Sequence, residues 1–307
     1  MASNPLVVCV GHAALDLIYR VDALPARPTK VPAQSLTMSG GGMAANAACA
    51  IVRLGGRARQ VGSIGDDLFG GLVIDELRRY GVDVAHLGRA AGASTSVSSI
   101  VVEASGERLI VNHRGSALDA TPPDVTPALA GAHALLCDPR WPAASRAAFA
   151  AARAAGIPSV LDADVADPAI LGALVPLAGH VVFSEPGFAR WAGHAADAAA
   201  APARLAELVD GGCALAAVTL GERGVVYATA RGVTQMPAFA VDAVETLGAG
   251  DVFHGAYALA LAERASLGDA LRFASAAAAQ KCRRAGGRAA LPDRADVEAC
   301  LAGKVAP

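Results

Sequence analysis

Five short stretches limit the fold more than anything else in the chain. "LVVCVG" (6–11), "HALLCD" (133–138), "PSVLDAD" (158–164), "HVVFSE" (180–185) and "LAAVTLG" (215–221) are apolar at consecutive positions. A strand with no polar face has no side to turn to water, so each must be covered on both faces. Alanine-rich segments with helical spacing separate them, such as "ASRAAFAAARAAG" (144–156) and "GMAANAACAIVRLGG" (42–56), which stops at Gly-Gly. "ARQVGSIG" (58–65) reads as a further strand. "DDLFGGLVIDELRRYGV" (66–82) has an acidic start, a basic last turn and a glycine after it, as a helix should. Buried strands alternating with helices imply an α/β fold with a mostly parallel sheet. With 54% hydrophobic and 18% charged residues, the 307-residue chain can bury a large core.

Two regions break that rhythm. "LDLIYRVDALP" with "KVPAQSLTM" (15–25 and 30–38), and "STSVSSIVVEASGERLIVNHRG" (94–115), read as antiparallel strands, the second turning at Ala104–Glu107. The expectation is a single domain, 1–307, with a small β lid from about 12–39 and 94–116 over the main sheet's ligand edge. The 26 basic and 28 acidic residues leave a formal charge of -2, so no global field recruits nucleic acid or an anionic membrane. No apolar run is long enough for a membrane span, and the N-terminus lacks the basic start of a signal peptide. Six scattered cysteines, at 9, 49, 137, 213, 282 and 300, form no C-x-x-C pair, which suits reduced thiols in a cytoplasmic protein.

Chemistry concentrates in "ETLGAGDVFHGA" (245–256). A Gly248-Ala249-Gly250 turn lets a ligand approach the backbone, and the first turn of the following helix offers unpaired N–H groups and a positive dipole end. Asp251, in that turn, is expected to stay ionised and could accept a proton from a hydroxyl. In isolation an acid there is more often a helix cap. Other motifs keep it company. "SGGGMAANAA" (39–48) places glycines before a helix bearing Asn46, and "VTLGERGVVYA" (218–228) sets Gly221 and Gly224 after a buried strand, where a hairpin turn is equally natural. "AQKCRRAGGRAALPD" (279–293) reads as a basic helix stop, and Asp16 as either a hydroxyl ligand or a solvated turn residue. The chain carries no G-x-x-x-x-G-K-[ST], no G-x-G-x-x-G after its first strand, no H-E-x-x-H and no G-x-S-x-G, which argues against P-loop, nicotinamide, zinc-hydrolase and serine-hydrolase chemistry.

The glycine triplet with Asn46, then "VTLGERG", then "T-x-GAGD", in this order and spacing, resemble the ribokinase-like (PfkB) carbohydrate kinases along nearly the whole chain. The resemblance implies a three-layer α/β/α sandwich with a β lid, and ATP-dependent phosphorylation of a sugar hydroxyl with Mg²⁺. It implies Asp251 as base and Gly248, Ala249 and Gly250 as anion hole. Asp16, Gly41, Gly42 and Asn46 would face the sugar, and Thr219, Gly221, Gly224, Gly248 and Gly250 the ATP. Two positions depart from the pattern. Glu245 stands where the family has Asp, and Ser184 and Gly187 replace its N-x-x-E, leaving Glu185 as the expected metal residue.

Within the family, "GERLIVNHRGS", "DPRW", "VFSEPGFARWAG" and "KCRRAGGRAALPD" look most like the sulfofructose kinases, with ketohexokinase behind them. That likeness implies a ketose phosphorylated at C1, 6-deoxy-6-sulfofructose, with Lys30, Asn112 and Arg140 on its sulfonate and a homodimer formed through the lid. His113 and Arg114 are secondary candidates. Lysine occurs only at 30, 281 and 304, which makes Lys30 less easy to assign to generic surface charge.

Overall fold

Alternate residues of the first strand, β1 (Leu6–Val10), enter different cores: Val7 and Cys9 one, Val8 and Val10 the other. The computed structural model describes residues 4–116, 118, 124–193 and 201–304. The strands in chain order are β2 (Ala14–Arg20), β3 (Ser35–Gly41), β4 (Arg57–Gly65), β5 (Asp83–Ala90), β6 (Ser96–Val102), β7 (Arg108–His113), β8 (Ala134–Cys137), β9 (Ser159–Ala163), β10 (His180–Ser184), β11 (Leu215–Thr219), β12 (Val225–Thr229) and β13 (Gly232–Met236). The large sheet runs β13-β12-β11-β10-β9-β8-β1-β4-β5 and is parallel except for β12 and β13. The sequence reading assigns no strand to 83–90 or 232–236, and one to 225–228 only through the alternative of a hairpin turn. These segments form the two margins of the sheet, where one-sided burial weakens the apolar signal.

One face carries α1 (Met43–Arg53), α2 (Leu68–Arg79), α7 (Ala249–Ala262), α8 (Leu267–Cys282) and α9 (Arg294–Leu301). The opposite face carries α3 (Pro142–Ala155), α4 (Pro168–Leu174), α5 (Glu185–Ala192) and α6 (Ala201–Asp210). This is the expected three-layer α/β/α sandwich. Helix α7 is buried almost all round, which explains why its sequence lacks an amphipathic period. Among the described residues, no helix is long and apolar enough to cross a membrane. All six cysteines are free, four of them buried.

The small sheet, ordered β3-β2-β6-β7, consists of two antiparallel hairpins joined by parallel pairing of β2 with β6. The second hairpin turns where expected, with Glu103 N–H bonded to the Glu107 carbonyl and Gly106 N–H to the Glu103 carbonyl. Register lines up rows of side chains across it. Ser39, Asp16, Ser98 and Asn112 share one face with Thr37, Ile18, Ile100 and Ile110. Met38, Leu17, Ser99 and Val111 share the other with Leu36, Tyr19, Val101 and Leu109.

In the large sheet the chain leaves β1 towards β4 on one side and returns to β8 on the other, so β1 and β8 flank its topological switch point. Open α/β sheets hold ligands at the carboxyl ends of such strands.

Candidate active site

At that switch point one buried carboxylate ties three segments together. Asp138, just past β8, accepts from His12 N–H (2.8 Å) and Ala44 N–H (3.1 Å) on Oδ2, and from Arg140 N–H (2.8 Å) on Oδ1. The glycines at the end of β3 fit the crowding between β2 and the turn after β1. A Cβ on Gly41 would stand 2.3 Å from Asp16 Oδ2. Gly42, at φ 92°, would set one 2.4 Å from the His12 carbonyl. Asp16 lies within β2 rather than in a turn, so the solvated-turn reading fails. Burial raises its pKa above the usual carboxylate range, opposed by a hydrogen bond from Ser98 and by Arg288. Asn112 extends the same row, donating to Ser98 Oγ at 3.1 Å. A narrow cleft opens between the small sheet and the start of α7, lined by Asp16, Ser39, Asn46, Gly248, Lys281 and Arg288 among others.

Gly248 caps α7 in the left-handed region (φ 75°), a conformation that favours glycine. The Ala249 N–H bonds back to the Thr246 carbonyl (3.2 Å) and the Val252 N–H to the Gly248 carbonyl (3.0 Å). Ala249 therefore drops out of the expected anion hole as a donor, because its N–H is already used. The N–H groups of Gly250 and Asp251 find no acceptor among the described residues and remain available to an anion.

Asp251 departs from expectation in its charge. Burial, with Asp162 nearby, pushes its pKa up to about 7, and the hydrogen bond from Asn46 Nδ2 (2.7 Å) pulls the other way. Desolvation outweighs the helix terminus here. Behind it, His254 Nδ1 lies 2.7 Å from the Gly250 carbonyl and 3.3 Å from Asp162 Oδ2, and Nε2 lies 3.2 Å from the Val182 carbonyl. Burial lowers His254 and raises Asp162, so this buried pair is best described as sharing one proton.

The expected metal residue sits elsewhere. Glu185 closes a two-pronged ion pair with Arg223 (2.5 and 2.6 Å), which compensates its charge. Ser184, at the Asn position of the missing motif, instead caps α5 on Gly187 N–H (3.0 Å) and donates to Asp164 Oδ1 (2.6 Å). Of the residues expected at the nucleotide, Thr219 ends β11 and donates to the Phe183 carbonyl at 3.3 Å. Gly221 faces open space, whereas Gly224 presses on β13, where a Cβ would meet the Met236 carbonyl at 2.0 Å. Gly224 thus has a packing reason of its own, and the segment is the tight β11–β12 turn.

The supposed helix stop after α8 contributes the residues that sequence reasoning missed. Lys281 and Arg288 are both buried. Glu245 accepts from Arg20 Nη2 (3.3 Å), from Gly286 and Gly287 N–H (3.2 Å each), and lies 3.5 Å from Lys281 Nζ. Its extra methylene bridges the loop before α7 to the glycine loop and to lid strand β2. The available signal was the rarity of lysine combined with an apolar helix run ending in it.

On the other side of the cleft, burial lowers the pKa of His12, and Arg140 and Arg114 add to that effect against Asp138. Both arginines therefore act on one point beside β1. Among the described residues, neither they nor Lys30 has a carboxylate within ion-pair distance. Lys30, Asn112, His113 and Arg114 are exposed and Arg140 is half-buried. His113 Nε2 is 3.0 Å from Ser94 Oγ.

Comparison with known proteins fits this geometry. The ribokinase of Bacillus subtilis (strain 168) is 29% identical over 96% of this chain and 99% of its own. A provisionally assigned ribokinase from Agrobacterium tumefaciens superposes with a TM-score of 0.93 at 36% identity, covering 98% of this chain and 99% of that one. Arabidopsis thaliana ribokinase, solved with ribose and ATP, gives 0.84 at 25% identity over 97% and 99%. Residues 4–294 match the pfkB family carbohydrate kinases, and the chain belongs to that family.

Proposed function

We propose that this kinase transfers the γ-phosphoryl group of ATP to a hydroxyl of a ketose, with 6-deoxy-6-sulfofructose, phosphorylated at C1, as the substrate its site fits best. The observation that carries the chemistry is Asp251, a carboxyl near neutrality in acidity beside two unused N–H groups at a helix start. Asp251 takes the proton of the attacking hydroxyl as phosphorus–oxygen bond formation proceeds, and the Gly250 and Asp251 N–H groups hold charge on the transferring phosphoryl group. Asp16 and Asn46 orient the sugar, and Thr219 and Gly221 lie where strand ends would meet the nucleotide. The Arabidopsis thaliana ribokinase solved with ribose and ATP supports a sugar and ATP as the two ligands.

Mg²⁺ suits the oxygen donors present. Asp164 would hold it, with Ser184 beside that carboxylate, and phosphate oxygens and water would complete its shell. The metal supplies neutralisation of phosphate charge.

The sulfonate is assigned to Lys30, Asn112 and Arg140, with Arg114 as neighbour. Support comes from cations without carboxylate partners among the described residues and from Asn112 lying in the Asp16 row. A second reading, a neutral sugar or nucleoside, is favoured by the relatives named ribokinase. Coupled ADP release across 6-deoxy-6-sulfofructose, fructose, fructose 6-phosphate, ribose and adenosine separates them. The sulfosugar should dominate, and Lys30→Ala or Arg140→Ala should raise its KM about 10- to 100-fold while sparing fructose. Preference for a neutral sugar would end the sulfonate assignment. We further assign the outer lid face to a homodimer contact.

A further inference from the structure

Asn46 stands between two groups that leave its amide no choice of orientation. On one side Arg288 Nε donates to Asn46 Oδ1 at 2.8 Å; on the other Asn46 Nδ2 donates to Asp251 Oδ2 at 2.7 Å. A guanidinium has only donors and an ionised carboxylate only acceptors, so a flipped amide would lose both bonds and face like against like. Arg288 is itself fixed. Its Nη2 donates to the Gly41 carbonyl at 2.9 Å, and its Nη1 lies 3.5 Å from Glu76 Oε2. Gly40 leaves room for it, since a Cβ there would fall 1.8 Å from Nη1. Arg288 is only 3% exposed, and among the described residues its Nη1 has no hydrogen-bond partner, so that nitrogen of a buried cation stays open beside the cleft.

We propose that Arg288 is a positioning residue: the chain Glu76–Arg288–Asn46 locks the Asn46 amide and thereby keeps Asp251 able to accept a proton. The proposal rests on Asp251 being the base of the reaction above. A helix-stop arginine would need none of these partners. A solvated one would not be buried between a half-buried Glu76 on α2 and a half-buried Asn46 on α1. The groups facing Asp251 are Asn46 from α1, Asp162 and Asp164 from β9 and the residues after it, and His254 from its own helix. Those facing Arg288 are Glu76 from α2, Tyr80 just after it, Asp16 from β2 and Cys49 from α1. Among the described residues, Asn46 supplies the one hydrogen bond from another segment that lowers Asp251 against burial and Asp162. Releasing its amide therefore shifts the balance towards the protonated, inactive carboxyl.

The test reads Asp251 directly. Carboxyl ¹³C NMR of aspartate-labelled protein, with the Asp251 signal assigned by its loss in Asp251→Asn, follows the titration without substrate. The acid limb of kcat/KM is measured beside it. Arg288→Met and Asn46→Ala should each raise the Asp251 titration by about one pH unit. The double variant should move it no further than the larger single change, since both act through one bond. Gly40→Ala, which displaces the guanidinium without deleting it, should do the same. If Arg288→Met leaves Glu76 uncompensated and fails to fold, Glu76→Gln with Arg288→Met removes both charges and takes its place. A titration that moves in Asn46→Ala but stays put in every Arg288 and Gly40 variant would overturn the proposal. If the titration moves and the acid limb of kcat/KM does not follow, the positioning by Arg288 stands and the assignment of Asp251 as base falls.

Discussion

A carboxylate in the first turn of a helix is ordinarily held ionised by the N–H groups around it, yet Asp251 is pushed up to about 7 by burial and by Asp162. The consequence for catalysis has a definite sign. The ionised form accepts the proton, so kcat/KM should rise with slope one through an apparent pKa near 7 and flatten above it. Asp251→Asn should lower kcat by about 10³-fold or more with little change in KM for ATP. Stability moves the other way. The folded pKa exceeds the unfolded value of 3.8, so the native state binds the extra proton, and stability is lost as pH rises through the folded value. Asn carries no such penalty. Asp251→Asn should therefore gain on the parent by on the order of 2 kcal/mol between about pH 5 and pH 8, read by denaturant unfolding at both pH values. A variant that is inactive and no more stable at high pH would mean that the carboxyl is not desolvated. At Asp164 the measure is metal binding: Asp164→Asn should weaken Mn²⁺ binding in the presence of ADP by about 10-fold, read by paramagnetic relaxation of water, while Glu185→Gln should not.

Helix α7 meets α1 at one close approach, and that contact sets the site. A Cβ on Gly255 would lie 2.7 Å from the Ala47 carbonyl, one residue from Asn46. Glycine to alanine inside a helix normally stabilises by about 0.5–1 kcal/mol. Gly255→Ala should reverse that sign, costing about 1–3 kcal/mol in thermal or denaturant unfolding, because backbone has to move. It should also lower kcat by widening the Asn46–Asp251 pair. Little change in either would place the two helices further apart than described. Here the limits of the sequence become physical. "GAGD" and the asparagine after the glycine triplet were legible because a helix start and its glycines are local features. The buried strands were legible because burial on both faces leaves an unbroken apolar run. Arg288, Lys281 and Glu245 were not, because their partners lie across loops from other elements. Glu185 misled for the same reason: its partner Arg223 belongs to a different strand connection. The departure of Glu245 from the family pattern was visible, but that its longer arm reaches the Gly286 and Gly287 N–H groups was not.

Over the whole molecule, the lid is the part with surface left over. Its inner face carries Asp16, Ser98 and Asn112, while its outer face presents Leu36, Met38, Leu109 and Val111, with Met38 60% and Val111 63% exposed. Strands β3 and β7 also end the small sheet with unpaired edges. A sheet of four short strands with a row of exposed apolar side chains on its outer face is costly to leave in water. A second copy placing the same face against it would cover both rows by two-fold symmetry. Sedimentation velocity at micromolar concentration should then find twice the chain mass, and Met38→Glu with Val111→Glu should return the single-chain mass. The same variant should raise KM for the sugar several-fold, since strands β2 and β7 carry Asp16 and Asn112, and should leave KM for ATP near the parent value, because Thr219 and Gly221 lie on the large sheet. A parent protein that sediments as one chain would assign the outer face another partner and remove the dimer from the description of the lid. A dimer whose dissociation leaves sugar KM untouched would instead uncouple assembly from the site.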